Sequence, residues 1–187
     1  MDLLRKYFDN FLKLNDKEWA DFQVCLSKEF IPKSTQLLER GQVCDFIAFI
    51  HEGLFSFYKF ENGEEKITTF FFAGDFVSNY RSFLTQLPSD HYIEALKDAT
   101  IYKINLTQLN KLYDEQKTFE RLGRLIAENL FLSVAGRLDT FMFDTPKTRY
   151  ENLLKRNSKV LLEVPQYMIA SYLGVKPETL SRIRSRK

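Results

Sequence analysis

The chain has 187 residues, enough for one or two small domains, and 44% of them are apolar, enough to fill a core. Its 27 basic and 25 acidic side chains nearly cancel, no apolar stretch approaches the length of a membrane span, and the Met1-to-Lys6 start lacks the apolar segment of a signal peptide. Two cysteines, Cys25 and Cys44, have no short spacing and make neither a disulfide framework nor a zinc site, so a cytoplasmic protein without metal or cofactor is expected.

Residues 1–30 read as helical, with Asn15-Asp16-Lys17-Glu18 as a capping box ahead of Trp19, Phe22 and Leu26. From Ile31 to about Asn105 the apolar period changes to two. Phe46 to Ile50 is a buried-strand run, Leu54 to Phe60 alternates, and Asn62-Gly63 is a hairpin signal leading into Lys66 to Phe72. Tyr92 to Leu96 and Thr100 to Ile104 are the later strands. Glycines 41, 53, 63 and 74 punctuate the strands as in a jelly-roll or barrel. Eighteen Phe and nine Tyr suit an aromatic-packed β core better than a ligand cage.

Helix returns with Asn105 as the cap for Leu106 to about Glu115, and a longer helix is expected from about Thr118 to Phe143. Its apolar positions Phe119, Leu122, Leu125, Ile126, Leu130, Val134, Leu138 and Phe141 follow mixed steps of three and four. A helix apolar on more than one side and lying between two domains is expected to pack on the β domain and on a second copy of itself. Leu122, Ile126, Leu130 and Val134 are the expected dimerisation residues; a monomer with one intramolecular contact is the alternative. Thr145-Pro146 opens another helix through about Lys155, and Lys159–Glu163 reads as irregular or strand.

The last two dozen residues form a helix, a glycine turn and a basic helix. Pro165 suits a helix start, and Ile169, Ala170 and Leu173 make an inward stripe with a small residue for close approach. Gly174 can end that helix in the left-handed conformation. Pro177 opens the next, whose Leu180 and Ile183 face inward. Glu178, Thr179, Ser181, Arg182, Ser185 and Arg186 are then left for hydrogen bonds to base edges and phosphates of double-stranded DNA, with Lys176 a further phosphate contact. Residues 176–187 hold five basic residues (Lys176, Arg182, Arg184, Arg186, Lys187) and one acidic, a local +4 against −2 for the rest. Cations are also favoured at any helix C-terminus, so charge alone does not decide; charge together with the helix-glycine-helix pattern does.

The run Ile169-Ala-Ser-Tyr-Leu-Gly-Val-Lys-Pro-Glu-Thr-Leu-Ser-Arg-Ile-Arg184 resembles the signature of the Crp/Fnr superfamily of bacterial transcription regulators. The resemblance implies an α+β chain: an N-terminal antiparallel β-roll of sensor type with N-terminal helices (1–117), a long dimerisation helix (118–143) and an all-α helix-turn-helix (144–187). The glycine spacing, with Ala48 to Gly53 and Phe72 to Phe76, is similar to that family's β-roll. It implies base-reading roles for Pro177, Glu178 and Arg182, of which Pro177 has no side-chain donor. The family's usual Ser or Thr before that Pro is Lys176 here, which forgoes roughly 1 kcal/mol of capping. The resemblance further implies a homodimer, RNA polymerase as a partner and a small-molecule effector of unknown identity. Relatives continue into a β-hairpin wing, whereas the sequence ends at Lys187, within a turn or two of the second helix.

The family's cyclic-nucleotide cassette is only partly matched. Gly74-Asp75 corresponds to its opening, and Arg81 lies nearby in the following loop, so these three are the candidate ligand residues. The position of the phosphate-binding arginine is Ser89, followed by Asp90, whose carboxylate would repel a phosphate. The Thr-Ser pair that reads adenine falls on Leu122-Gly123. Cyclic AMP is therefore not expected to bind. Two cysteines are too few for an iron–sulfur cluster, and His51 and His91 are the only histidines a haem could use. They also fall short of the metal set of a cupin enzyme, and no phosphate loop or nucleophile elbow is present, so no catalytic residues are expected. The competing reading is a regulatory β-roll protein whose basic helical end binds an acidic protein partner rather than DNA.

Overall fold

A computed structural model describes residues 1–185. Two short helices, α1 (Asp2–Asp9) and α2 (Asp16–Val24), precede the strands β1 (Ser27–Ile31), β2 (Gln36–Leu38), β3 (Phe46–Glu52), β4 (Leu54–Glu61), β5 (Glu64–Phe72) and β6 (Phe76–Val77). Helix α3 (Tyr80–Thr85) is inserted before β7 (Tyr92–Ala95) and β8 (Ala99–Asn105). Then come α4 (Leu106–Glu115), α5 (Lys117–Phe143), α6 (Pro146–Arg156), α7 (Val160–Glu163), α8 (Gln166–Leu173) and α9 (Pro177–Ser185). All pairings are antiparallel, in two four-stranded sheets of order β1-β8-β3-β6 and β2-β7-β4-β5, which face each other as a jelly-roll.

The central strands β3 and β4 are covered on both faces, which explains why they are apolar at most positions. On β3, Phe46, Ala48 and Ile50 point between the sheets, while Ile47 and Phe49 point outward to α1, α2, α4 and the start of α5. On β4 the alternation divides in the same way: Phe55 and Phe57 face the roll interior, and Leu54 and Tyr58 face the C-terminal helices. The β4–β5 connection is the expected Asn62-Gly63 hairpin, with positive φ at both residues (+53° and +80°), as a two-residue primed turn needs. Asn15 and Asn105 each close a capping box, with Glu18 and Gln108.

Three local expectations are corrected. Residues 27–31 are not helical but form β1, an edge strand paired to β8; its side chains are mostly exposed, so it carries no period-two apolar signal. Residues 160–163 form one helical turn, α7, too short to display a 3.6-residue period. Helix α3, capped by Asn79 and ended by Gln86 in the left-handed conformation, is equally short and was not anticipated. A fourth correction concerns Leu122. It is 3% exposed, inside the protomer's own core with Phe119, Leu112 and Phe22, and so cannot serve an exposed dimer face. Ile126 packs at the margin of that core, whereas Leu130 and Val134 are exposed.

Candidate nucleic-acid interface

The turn between α8 and α9 is built by backbone geometry. Gly174 ends α8 at φ +67°, ψ +36°, its N–H donating to the Ser171 carbonyl (3.0 Å) while the Val175 N–H donates to that of Ala170 (3.0 Å). Met168, Ile169, Ala170 and Leu173 are buried, and the fully buried Leu180 of α9 packs into the same core with Ile183 beside it. The Lys176 carbonyl accepts the first bonds of α9, from Thr179 N–H (3.0 Å) and Leu180 N–H (3.2 Å).

With that face buried, the other is presented to solvent. Lys176, Glu178, Ser181, Arg182 and Ser185 are exposed, and Thr179 and Arg184 are half-buried. Arg182 Nη2 donates to Thr179 Oγ1 (3.3 Å), and the Ser185 hydroxyl donates back to the Arg182 carbonyl (3.1 Å). Glu178 and Arg182 stand one turn apart, and among the described residues neither they nor Lys176 and Arg184 enter an ion pair. Arg186 and Lys187 lie outside the described residues.

Two residues not singled out from sequence hold this pair of helices in place. Ser171 of α8 meets the edge strand β5: its Oγ accepts from Ile67 N–H (3.0 Å) and donates to the Glu65 carbonyl (2.9 Å). One hydroxyl thus satisfies two main-chain groups that an open sheet edge would leave unpaired. Arg149 of α6 donates from Nη1 to the Asp144 carbonyl at the end of α5 (2.9 Å) and from Nη2 to the Leu173 carbonyl at the end of α8 (2.9 Å). A guanidinium bridging two helix C-termini is favoured by hydrogen bonding and by the dipoles. Ser171 is a small residue inside a family-like signature and gives no sequence sign of its partner 104 positions away.

The candidate ligand residues are put to structural use. Gly74 (φ +94°) and Asp75 make the tight β5–β6 connection, where Asp75 Oδ2 accepts from Phe72 N–H (2.9 Å). Burial pushes the Asp75 carboxyl above the usual carboxylate range, against the hydrogen bond from Phe72 and the nearby charge of Arg156. Arg81 is exposed on α3 and forms no ion pair with Asp75 among the described residues.

At the position of the family's phosphate-binding arginine, Ser89 is buried in an uncharged network. Its Oγ accepts from Asn79 Nδ2 (2.7 Å) and His91 N–H (3.0 Å) and donates to the His91 carbonyl (2.8 Å). Asp90 turns outward to His91 Nδ1 (2.6 Å), which holds its carboxyl below the ordinary range, and the His91 ring stacks on Phe57 at 4.4 Å. On α5 the other two positions are absorbed as well. Leu122 is in the core, and a side chain at Gly123 would collide with the Tyr113 ring and hydroxyl of α4. Burial pushes that tyrosine up to about 12. Among the described residues no group of three or more His, Cys, Asp or Glu is placed to hold a metal ion, and no helix is long and apolar enough to cross a membrane.

Comparison with known proteins agrees with this architecture. Residues 28–116 match the cyclic nucleotide-binding domain family. The anaerobic regulatory protein of Haemophilus influenzae is 27% identical over 92% of this chain and 72% of its own length. The structure of FixK2 from Bradyrhizobium japonicum superposes with a TM-score of 0.72 at 18% identity, covering 86% of this chain and 83% of that one. The c-di-GMP-responsive regulator CLP of Xanthomonas campestris gives 0.67 at 16% identity, covering 92% and 91%. With a cyclic-nucleotide-type roll, a long helix and a helix-turn-helix in one polypeptide, the chain has the fold of these regulators.

Proposed function

We propose that this chain reads specific sequences of duplex DNA with α9, acts as a homodimer paired along the C-terminal half of α5, and does so without cyclic AMP. The observation that carries the reading is the exposed face of α9, where Glu178 and Arg182 stand one turn apart, neither in an ion pair among the described residues, over a buried Leu180 that fixes the helix. In a helix-turn-helix the N-terminal half of the second helix enters the major groove. Arg182 suits bidentate bonding to guanine O6 and N7, and Glu178 suits acceptance from a cytosine amino group. Lys176 and Arg184 have the charge and position for phosphates.

Pairing along α5 is supported by Leu130, Phe131, Val134, Leu138 and Met142, all exposed on a helix that no other element of the protomer covers there. An apolar row of that length is uncommon on a monomer surface. Independence from cyclic AMP is supported by the Ser89 network, the outward Asp90 carboxylate, and the packed Leu122 and Gly123. Calorimetric titration with cyclic AMP is expected to give no saturable heat; micromolar affinity would overturn that part.

The DNA reading is tested by selecting preferred sites and comparing Arg182→Ala with Lys176→Ala on the site and its single-base variants. Arg182→Ala should cost about 1–3 kcal/mol and relax preference at one position per half-site; Lys176→Ala should weaken all duplexes alike and flatten the salt slope by about one. Binding of an acidic protein with no salt-dependent duplex binding would favour the protein-partner reading instead.

A further inference from the structure

The C-terminal half of α5, together with α6 and α8, lines a half-open cavity of about 160 Å³ whose walls include Arg137, Arg149 and Arg156 and no carboxylate. None of the three arginines forms an ion pair among the described residues. Arg137 lies over the Tyr172 ring at 4.2 Å, and Arg149 lies over the Phe141 ring at 5.1 Å. These stacked positions fix the planes of two guanidiniums. Arg149 spends both Nη groups on helix-end carbonyls, and its Nε is buried with no hydrogen-bond partner.

Three positive charges on the wall of one cavity with no carboxylate among them repel one another unless an anion completes the site. The acids nearby do not do so. The Asp144 carboxylate accepts from Asn152 Nδ2 (3.3 Å), and Asp75 of the roll acts on Arg156 only through space. Burial and the charge of Arg156 both push the Arg137 guanidinium down from its ordinary value, against the pull of Tyr172; a bound anion would relieve this.

We propose that this cavity binds a small anion through a phosphoryl group. The planar forks of Arg137 and Arg156 match two oxygens each of a phosphate, and the Arg149 charge lies beside them. The bound group would tie together the paired half of α5, α6 and the first helix of the DNA-reading pair. The inference rests on the cavity and its charges and stands without the DNA reading.

The test is calorimetry of the full chain with inorganic phosphate and with pyrophosphate at constant ionic strength, using chloride as the control anion. One saturable site per chain is expected. Arg156→Gln, at an exposed position that leaves the core intact, should weaken it by about tenfold or more, and Arg124→Gln, elsewhere on α5, should leave it unchanged. Non-saturable heats, an equal response to chloride, or unaltered affinity in Arg156→Gln would overturn the proposal. Repeating the titration with a saturating short duplex separates the sources of the phosphoryl group. Retained phosphate binding marks a free small molecule, and competition marks the duplex backbone.

Discussion

The two halves of α5 use apolar side chains in opposite ways. In the first turns, Phe119 and Leu122 are each 3% exposed, locked between α2, α4 and the outer face of β3, with the Tyr113 ring laid over Gly123. Beyond Ile126 the helix leaves the roll, and Phe131, Val134 and Leu138 are 71%, 60% and 59% exposed. The C-terminal helices meet this second half only through Arg137 and Phe141 and leave the other face of the helix open, while α8 docks on β5. The same residue types therefore stabilise the protomer at one end and remain available for association at the other.

Paired substitutions test that division. Leu122→Ala should lower the unfolding free energy by about 2–5 kcal/mol, as expected for a large-to-small change in a packed core, measured by urea denaturation. Leu130→Glu should leave the protomer's fold within about 0.5 kcal/mol of wild type yet abolish dimers, read by sedimentation and by a Tm that no longer rises with concentration. Wild type that sediments as a monomer at micromolar concentration would sink the pairing, as would Leu122→Ala with unchanged stability for the closed half.

The sequence pattern could not make this division by itself. A helix in contact with a roll and a helix in contact with its own copy show the same mixed steps of three and four, so Leu122 and Leu130 look alike in the chain. What separates them is Tyr113 and Phe22 arriving from elsewhere in the fold. The α8–α9 pair was legible for the opposite reason. Its Pro165, Gly174, Pro177 and Leu180 are local signals, each tied to a backbone conformation or to the neighbouring helix. The Asn62-Gly63 hairpin and the two Asn caps were legible on the same ground, whereas β1, α3 and α7 depend on distant partners or are too short to show a period. Glu178, Arg182 and Lys176 were legible as exposed positions; the roles of Ser171 and Arg149, fixed by contacts across the fold, were not.

The docking that leaves half of α5 open depends on Ser171, and removing its hydroxyl sharpens the comparison. Ser171→Ala strands the Ile67 N–H and the Glu65 carbonyl at the sheet edge, at a cost of about 1–2 kcal/mol. Hydrogen exchange at the Ile67 amide should accelerate, while amides of the closed half, such as that of Leu122, keep their protection. Uniform acceleration throughout the chain would mean that Ser171 supports the fold globally rather than the docking of α8.

The smallest expected effect lies in the roll that holds the closed half, where two aspartates titrate in opposite directions. Asp75, at the β5–β6 turn beside Leu3 of α1, has its carboxyl raised by burial. The folded state then holds its proton at a pH where the unfolded chain has lost it, so this group favours the fold increasingly as pH falls through that window and burdens it above. Asp75→Asn keeps an oxygen to accept from Phe72 N–H and removes the buried charge. It should therefore be more stable than wild type near neutrality, with the advantage vanishing as pH falls through the raised value. Asp90 carries the opposite sign, because its bond to His91 lowers its carboxyl. The stability it contributes is present above the ordinary carboxylate range and lost on acidification, so Asp90→Asn should be the less stable variant at neutrality and converge on wild type in acid. Unfolding curves of both variants between neutral and acidic pH check the pair. Two differences of the same sign, or differences that do not change with pH, would show that burial at Asp75 does not outweigh its hydrogen bond.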